Sequence, residues 1–180
     1  MTYKTKEELA KYVIHYYLEE NEVPEIKAGD VAENLQQKAA SFVTVYIDGK
    51  LRGCIGNYEA FEPLYKNIIR NAISAITSDY RFSPITKEEI PNLTVEVSVL
   101  SPMGKYKPKD SQELLKYLTK NKPGLLLDKD GRKALFLPQV WEDLPKAQDF
   151  LSNLCLKAGL NPDDWQDAKM RFWVFRNIKI

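Results

Sequence analysis

The most regular stretch of the chain is residues 93–100, Leu-Thr-Val-Glu-Val-Ser-Val-Leu, which alternate apolar and polar. A period of two is that of a strand with one buried face. Val95, Val97 and Val99 then face a core, and Thr94, Glu96 and Ser98 face away. Residues 42–47, Phe-Val-Thr-Val-Tyr-Ile, are β-branched and aromatic and predict a second strand. Asp48-Gly49 is a strong hairpin signal, and residues 51–56 return as the partner strand. A further hairpin is expected from 124–128 to 133–137 around Lys129-Asp130-Gly131, and a last strand from Arg171 to Ile178.

Between these segments the period changes to that of a helix. Over residues 5–20, Leu9, Tyr12, Val13 and Tyr16 share one face behind a capping box of Thr5 and Glu8. His15, the only histidine, flanks that stripe, either as a bystander or as an acid–base group. Over residues 62–78, Leu64, Ile68, Ile69, Ala72, Ile73, Ala75 and Ile76 make a wide apolar stripe, so this helix is well buried. Pro63 suits its first position. Helices are also expected at 111–120, capped by Asp110 with Glu113, and at 146–158, closed by Gly159. Shorter turns follow Thr86, lie within 33–40 and carry Trp165. Hairpins and separated helices predict an α+β fold with a largely antiparallel sheet, in one domain over residues 1–180.

The first hairpin admits two registers. A two-residue turn at Asp48-Gly49 sets Arg52 and Cys54 on the face of Val43, Val45 and Ile47. A three-residue loop, Asp48 to Lys50, instead joins Leu51 and Ile55 to that apolar face and leaves Arg52 and Cys54 with Thr44 and Tyr46. The second separates apolar from polar better and is the expected one, since a slip of one residue exchanges the faces. In both, Arg52 and Cys54 share a face, about 7 Å apart at their Cα atoms.

Composition narrows the function classes. The 180 residues are 44% hydrophobic, enough for one ordinary core. Twenty-six basic against twenty-five acidic residues leave a net charge of +1, without the basic footprint of a nucleic-acid binder. Lys105, Lys107 and Lys109 form a short basic run that Pro102, Tyr106 and Pro108 mark as a solvated loop, with an anion contact as the alternative. Cys54 and Cys155 read as two reduced thiols. No signal peptide and no apolar run of bilayer-spanning length is visible, so the expected setting is cytoplasmic, without a membrane partner. One histidine and two dispersed cysteines give no metal-ligand spacing, and no cofactor motif appears.

Six segments occur in an order that resembles a known family. They are Phe42-Val43-Thr44, Leu51-Arg52-Gly53-Cys54-Ile55-Gly56, Asp79-Tyr80-Arg81-Phe82, Val95-Glu96-Val97-Ser98-Val99-Leu100, Leu137-Pro138-Gln139-Val140, and Phe150-Leu151 with Leu154-Cys155 and Lys157-Ala158-Gly159. The chain resembles the AMMECR domain family from about residue 9 to about 178, most specifically in Leu-Arg-Gly-Cys-Ile-Gly. The resemblance implies a two-lobed α+β domain whose signature residues gather at a cleft, and relatives associated with Memo-type and radical-SAM proteins. It supplies no reaction. Tyr80 stands where the family usually has proline, and Pro102-Met103-Gly104-Lys105 replaces a common proline–glutamate stretch, which affects loop shape.

The candidate chemistry centres on Cys54. A nearby cation such as Arg52 would favour its thiolate. Gly53 and Gly56 would let a substrate approach the backbone and lend amides to an anion. The competing reading makes Cys54 a small packing residue and the glycines strand or bulge positions. No histidine base accompanies the thiol, which argues against a Cys–His hydrolase. Cys155 falls on a helical stripe with Leu151, Leu154 and Ala158 and reads as core. Asp79 and Arg81 form either a structural ion pair or a ligand-binding rim. Glu96, among valines, is either paired with Arg52 or Arg81 or acts as an acid–base group. Gln139 is either a turn residue or a substrate-orienting amide. Two functions are expected from this set. One is an enzyme or enzyme subunit acting on a small polar, anionic substrate, with Cys54 and Glu96 catalytic and Arg52, Gly53, Gly56, Asp79, Arg81 and Gln139 binding. The other is an adaptor that recognises a peptide or a Memo-type or radical-SAM partner, its interface extended by Tyr106 and the Trp141 region.

Overall fold

The computed structural model describes residues 2–180. The chain forms two compact units, one running up to Leu100 and including Ile178–Ile180, the other Ser101–Asn177. Both build antiparallel sheet with helices, as expected of an α+β protein.

In the first unit, helix α1 (Lys6–Glu20) starts at the predicted capping box, where Thr5 accepts from the Glu8 amide and Glu8 accepts from the Thr5 amide. Strand β1 (Ala40–Ile47) pairs antiparallel with β2 (Lys50–Gly56) on one side and with β3 (Leu93–Leu100) on the other. With β8 (Asn177–Ile178) the order is β2-β1-β3-β8. Helix α2 (Leu64–Thr77) follows Pro63, which sits one position ahead of the helix rather than at its first residue. Val43, Val45, Val97 and Val99 from the sheet pack with Leu9, Val13 and Ile14 of α1 and Leu64, Ile68, Ala72 and Ile76 of α2 in one core. Each fully buried aliphatic side chain there stabilises the fold by roughly 1.5–3 kcal/mol.

The first hairpin does not have the expected three-residue loop, although the expected pairing returns beyond a bulge. Its turn is the two-residue one, with Ile47 opposite Lys50 and Tyr46 opposite Leu51. Asp48 and Gly49 both adopt positive φ, 50° and 74°, the conformation of a tight hairpin turn matched to strand twist. The pairing then shifts, so that Gly53 lies opposite Val45, Cys54 opposite Thr44 and Ile55 opposite Val43. Arg52 is the extra residue of a β-bulge. The bulge delivers Cys54 to the face of Thr44, as the three-residue loop had promised. It leaves Leu51 beside Tyr46, 42% exposed, instead of in the core.

In the second unit, β4 (Gly104–Tyr106), β5 (Gly124–Lys129), β6 (Arg132–Phe136) and β7 (Arg171–Phe175) form a sheet ordered β4-β7-β5-β6. Helix α3 (Ser111–Asn121) begins where Asp110 accepts from the Glu113 amide, as predicted. Helix α4 (Val140–Asp143) is short, and α5 (Ala147–Lys157) ends before Gly159, whose φ of +70° suits glycine. Leu114 and Leu118 of α3, Phe150, Leu151, Leu154 and Cys155 of α5, and Leu125, Leu127 and Phe172 of the sheet share the core. The basic run is not all loop, since Lys105 lies within β4. Trp141 is buried, stacked on Phe150 at 3.9 Å with its indole N–H donated to the Pro123 carbonyl, so it offers no exposed interface. Among the described residues no helix is long and apolar enough to cross a membrane.

Candidate functional site

Strand β2 is the edge of its sheet, so the amide of Cys54 points away from β1 and needs another acceptor. Asp79, two residues past the end of α2, supplies it: its Oδ2 accepts the Cys54 N–H at 2.9 Å. The same oxygen accepts Arg81 Nη2 at 2.7 Å, while Oδ1 accepts Arg81 Nε at 2.9 Å and the Arg81 amide at 3.2 Å. Asp79 is buried and Arg81 is 43% exposed. The guanidinium, helped by the two amides, holds the Asp79 carboxyl down at about 2 although burial pushes it up. Arg81 is in turn raised, first by its hydrogen bonds to Asp79 and further by the fields of Asp79 and Cys54. One buried carboxylate therefore fixes both the strand at Cys54 and a half-exposed guanidinium whose field reaches the thiol.

Cys54 is half-buried, and its Sγ lies 3.2 Å from Thr44 Oγ1, a contact in which either group can donate. The pairings of β1 with both neighbours set Cys54, Thr44 and Glu96 in one row across three strands on one sheet face. Successive strands are about 4.8 Å apart, so Cys54 and Glu96 are separated by roughly 10 Å at the backbone. Glu96 is exposed and accepts from Tyr46 Oη at 3.3 Å. Its partner is thus a phenol of the neighbouring strand and not Arg52 or Arg81.

Arg52 is placed differently from its sequence reading. Its guanidinium forms a two-point ion pair with Glu89, at 2.8 and 3.2 Å, and donates to the carbonyls of Ser83 and Pro84 at 2.6 and 3.3 Å. It fastens the segment after α2 over the sheet edge. Glu89 also caps the short 3-10 helix Lys87–Asn92 from the Thr86 amide. The bare backbone of both signature glycines is likewise taken up within the unit. A Cβ on Gly53 would collide with the Ala75 carbonyl of α2, and one on Gly56 with the Phe42 ring and the Ser41 carbonyl. These glycines let a helix and a strand approach closely. Gln139 belongs to the second unit, where its Oε1 accepts from Asn177 Nδ2 at 3.1 Å. Cys155 is fully buried, and burial pushes its thiol up to about 11.

A buried amide network was not anticipated. Asn67 Oδ1 accepts the Ser41 amide at 3.0 Å and the Ser41 hydroxyl at 2.7 Å, and Asn71 Nδ2 donates to the Ser41 carbonyl at 3.0 Å. Both asparagines also donate to Asn57 Oδ1, at 2.6 and 3.1 Å. The group ties α2 to the start of β1 and to the residue that follows Gly56. A signal was present: Asn71 is seven residues after Leu64 and four before Ala75, inside the apolar stripe, where an amide must find buried partners. Among the described residues no cluster of three His, Cys, Asp or Glu side chains is arranged to hold a metal.

The relatives agree with the architecture. The protein NEQ441 of Nanoarchaeum equitans is 36% identical over 171 residues, covering 93% of each chain. A protein of Methanothermobacter thermautotrophicus is 37% identical over 152 residues, 82% of this chain and 77% of its own. The crystal structure of the uncharacterized protein PH0010 from Pyrococcus horikoshii superimposes with a TM-score of 0.84 at 32% identity, over 95% of this chain and 86% of that one. The AMMECR1 family pattern matches residues 7–180, and the chain belongs to the AMMECR1 family.

Proposed function

We propose that the sheet face around Cys54 binds a small anionic substrate and acts on it with the Cys54 thiol. The observation that carries this reading is the double hold of Asp79, which fixes the Cys54 backbone and Arg81 together, with the Arg81 guanidinium in the field of the half-buried Cys54. A fixed cation near a thiol favours the thiolate and offers a charge to an incoming anion. Arg81 takes the binding role that the sequence had divided between two arginines, because Arg52 is committed to Glu89. Glu96, exposed and in the row of Cys54, is the carboxylate suited to exchange protons with a bound substrate. Cys54 and Cys155 do not form a disulfide, which fits the cytoplasmic setting proposed for this chemistry.

The test is selective alkylation at neutral pH. Cys54 should react far faster than Cys155, and a bound anion should protect it. A Cys54 that resists modification in the folded protein ends the reading.

A second reading is supported by Tyr80. It is 93% exposed on a turn clamped on both sides by the Asp79–Arg81 contacts. A rigidly presented tyrosine is a common anchor of protein interfaces. It fits an adaptor that recognises a peptide or a partner of the Memo or radical-SAM type. Tyr80→Ser should then abolish complex formation and leave Cys54 reactivity unchanged.

A further inference from the structure

The unit Ser101–Asn177 carries a cavity, and its reading does not rest on that of Cys54. The cavity, of about 460 Å³, is lined by β4 and the residues after it, the first turn of α3, and the segment from Trp165 to Phe172. Four cations line it, Lys105, Lys107, Lys109 and Arg171, with two carboxylates, Asp110 and Asp167.

These charges differ in what they already do. Asp110 caps α3 by accepting the Glu113 amide at 2.8 Å. Asp167 pairs with Lys129 at 2.7 Å and accepts the Lys169 amide. Arg171 pairs with the buried Asp128 at 2.7 Å. Among the described residues the three lysines enter no ion pair. Asp167 is thus paired with Lys129 and Arg171 with Asp128, which leaves three lysines against the single carboxylate of Asp110, an excess of positive charge at one cavity. Like charges gathered in excess repel each other, and a bound anion relieves that repulsion.

The apolar part of the lining adds a second indication. Leu114, Met170 and Phe172 are buried residues of the cavity wall. Trp165, only 4% exposed, lines it too, and its indole N–H is buried without an acceptor. An indole nitrogen can only donate, and buried donors are nearly always satisfied. That N–H is sealed inside the wall, so Trp165 stands beside the cavity as a reporter, and the lining offers an excess of positive charge next to apolar side chains.

We propose that this cavity binds a small phosphomonoester with a compact apolar body, its oxyanion among Lys105, Lys107 and Lys109 and its body against Leu114, Met170 and Phe172. The test uses phenyl phosphate as probe and phenol as its uncharged counterpart. The chain has three tryptophans, so their indole N–H signals in a nitrogen-15 spectrum are separable, with Trp165 assigned by Trp165→Phe. Phenyl phosphate should move the Trp165 signal saturably and leave that of Trp141, already bonded to Pro123, in place. Phenol should not bind. The triple variant K105Q/K107Q/K109Q should weaken binding by ~10-fold or more, given the usual worth of three exposed charge contacts. An unmoved Trp141 signal in that variant shows that the unit is still folded. Added salt should weaken binding to the wild type in the same sense. The proposal is overturned if the Trp165 signal does not move, if the triple variant binds as well as wild type, or if phenol binds as tightly as phenyl phosphate.

Discussion

Asp79 holds Cys54 by its backbone: Oδ2 accepts the Cys54 amide at 2.9 Å, and the same oxygen receives Arg81 at 2.7 Å. A carboxylate that does both must stay ionised, and its carboxyl is held at about 2 against an ordinary value of 3.8. A folded-state value below the unfolded one means stability that is fully present above pH ~4 and drains away as pH falls through ~2. The contribution is at most about 2 kcal/mol, reduced by solvent around the half-exposed guanidinium. Asp79→Asn should therefore flatten the fall of unfolding free energy between pH ~4 and ~2, read by urea titration across that range. A variant with the wild-type acid slope would show that the Asp79–Arg81 pair contributes nothing.

Gly53 tests the packing account of the signature. Its missing side chain makes room for the Ala75 carbonyl, and both groups are backbone, so neither can swing aside. Gly53→Ala should cost about 2–4 kcal/mol in denaturant unfolding. Gly29, which has open space around it, should tolerate the same change with little effect.

The amide network predicts a loss of similar size. Asn67→Ala strips the Ser41 amide and hydroxyl of their common acceptor inside the fold. The cost should be about 2–3 kcal/mol, larger than for an exposed asparagine such as Asn153, because buried polar groups are left unsatisfied. Equal costs at the two sites would remove the network from the account.

Much of this was legible in the sequence, for physical reasons. Thr5 with Glu8 and Asp110 with Glu113 cap their helices as read, because capping depends on residues three apart and not on the rest of the fold. The alternation of 93–100 gave β3 to the residue. Asp48-Gly49 marked the place of the turn, but the three-residue loop expected there is a two-residue turn, and the bulge at Arg52 that restores the pairing was hidden, since Gly53 must fit under α2 and local propensity does not report that. The same limit applies to the charges. Arg81 pairs with Asp79, two residues away, as one of the two readings of the sequence had it, whereas Arg52 pairs with Glu89, 37 positions along the chain, which no local pattern reveals. The polar residues inside the α2 stripe were passed over because period analysis weighs the apolar positions.

The central claim is that Arg81 draws anions to the Cys54 thiol, and comparing two alkylating reagents tests it directly. Iodoacetate carries a negative charge and iodoacetamide does not, while both attack the same sulfur. The ratio of their rates at Cys54 should fall severalfold in Arg81→Gln, with iodoacetamide changing less. A ratio that is the same in wild type and variant, with Cys54 reactive in both, would contradict the account.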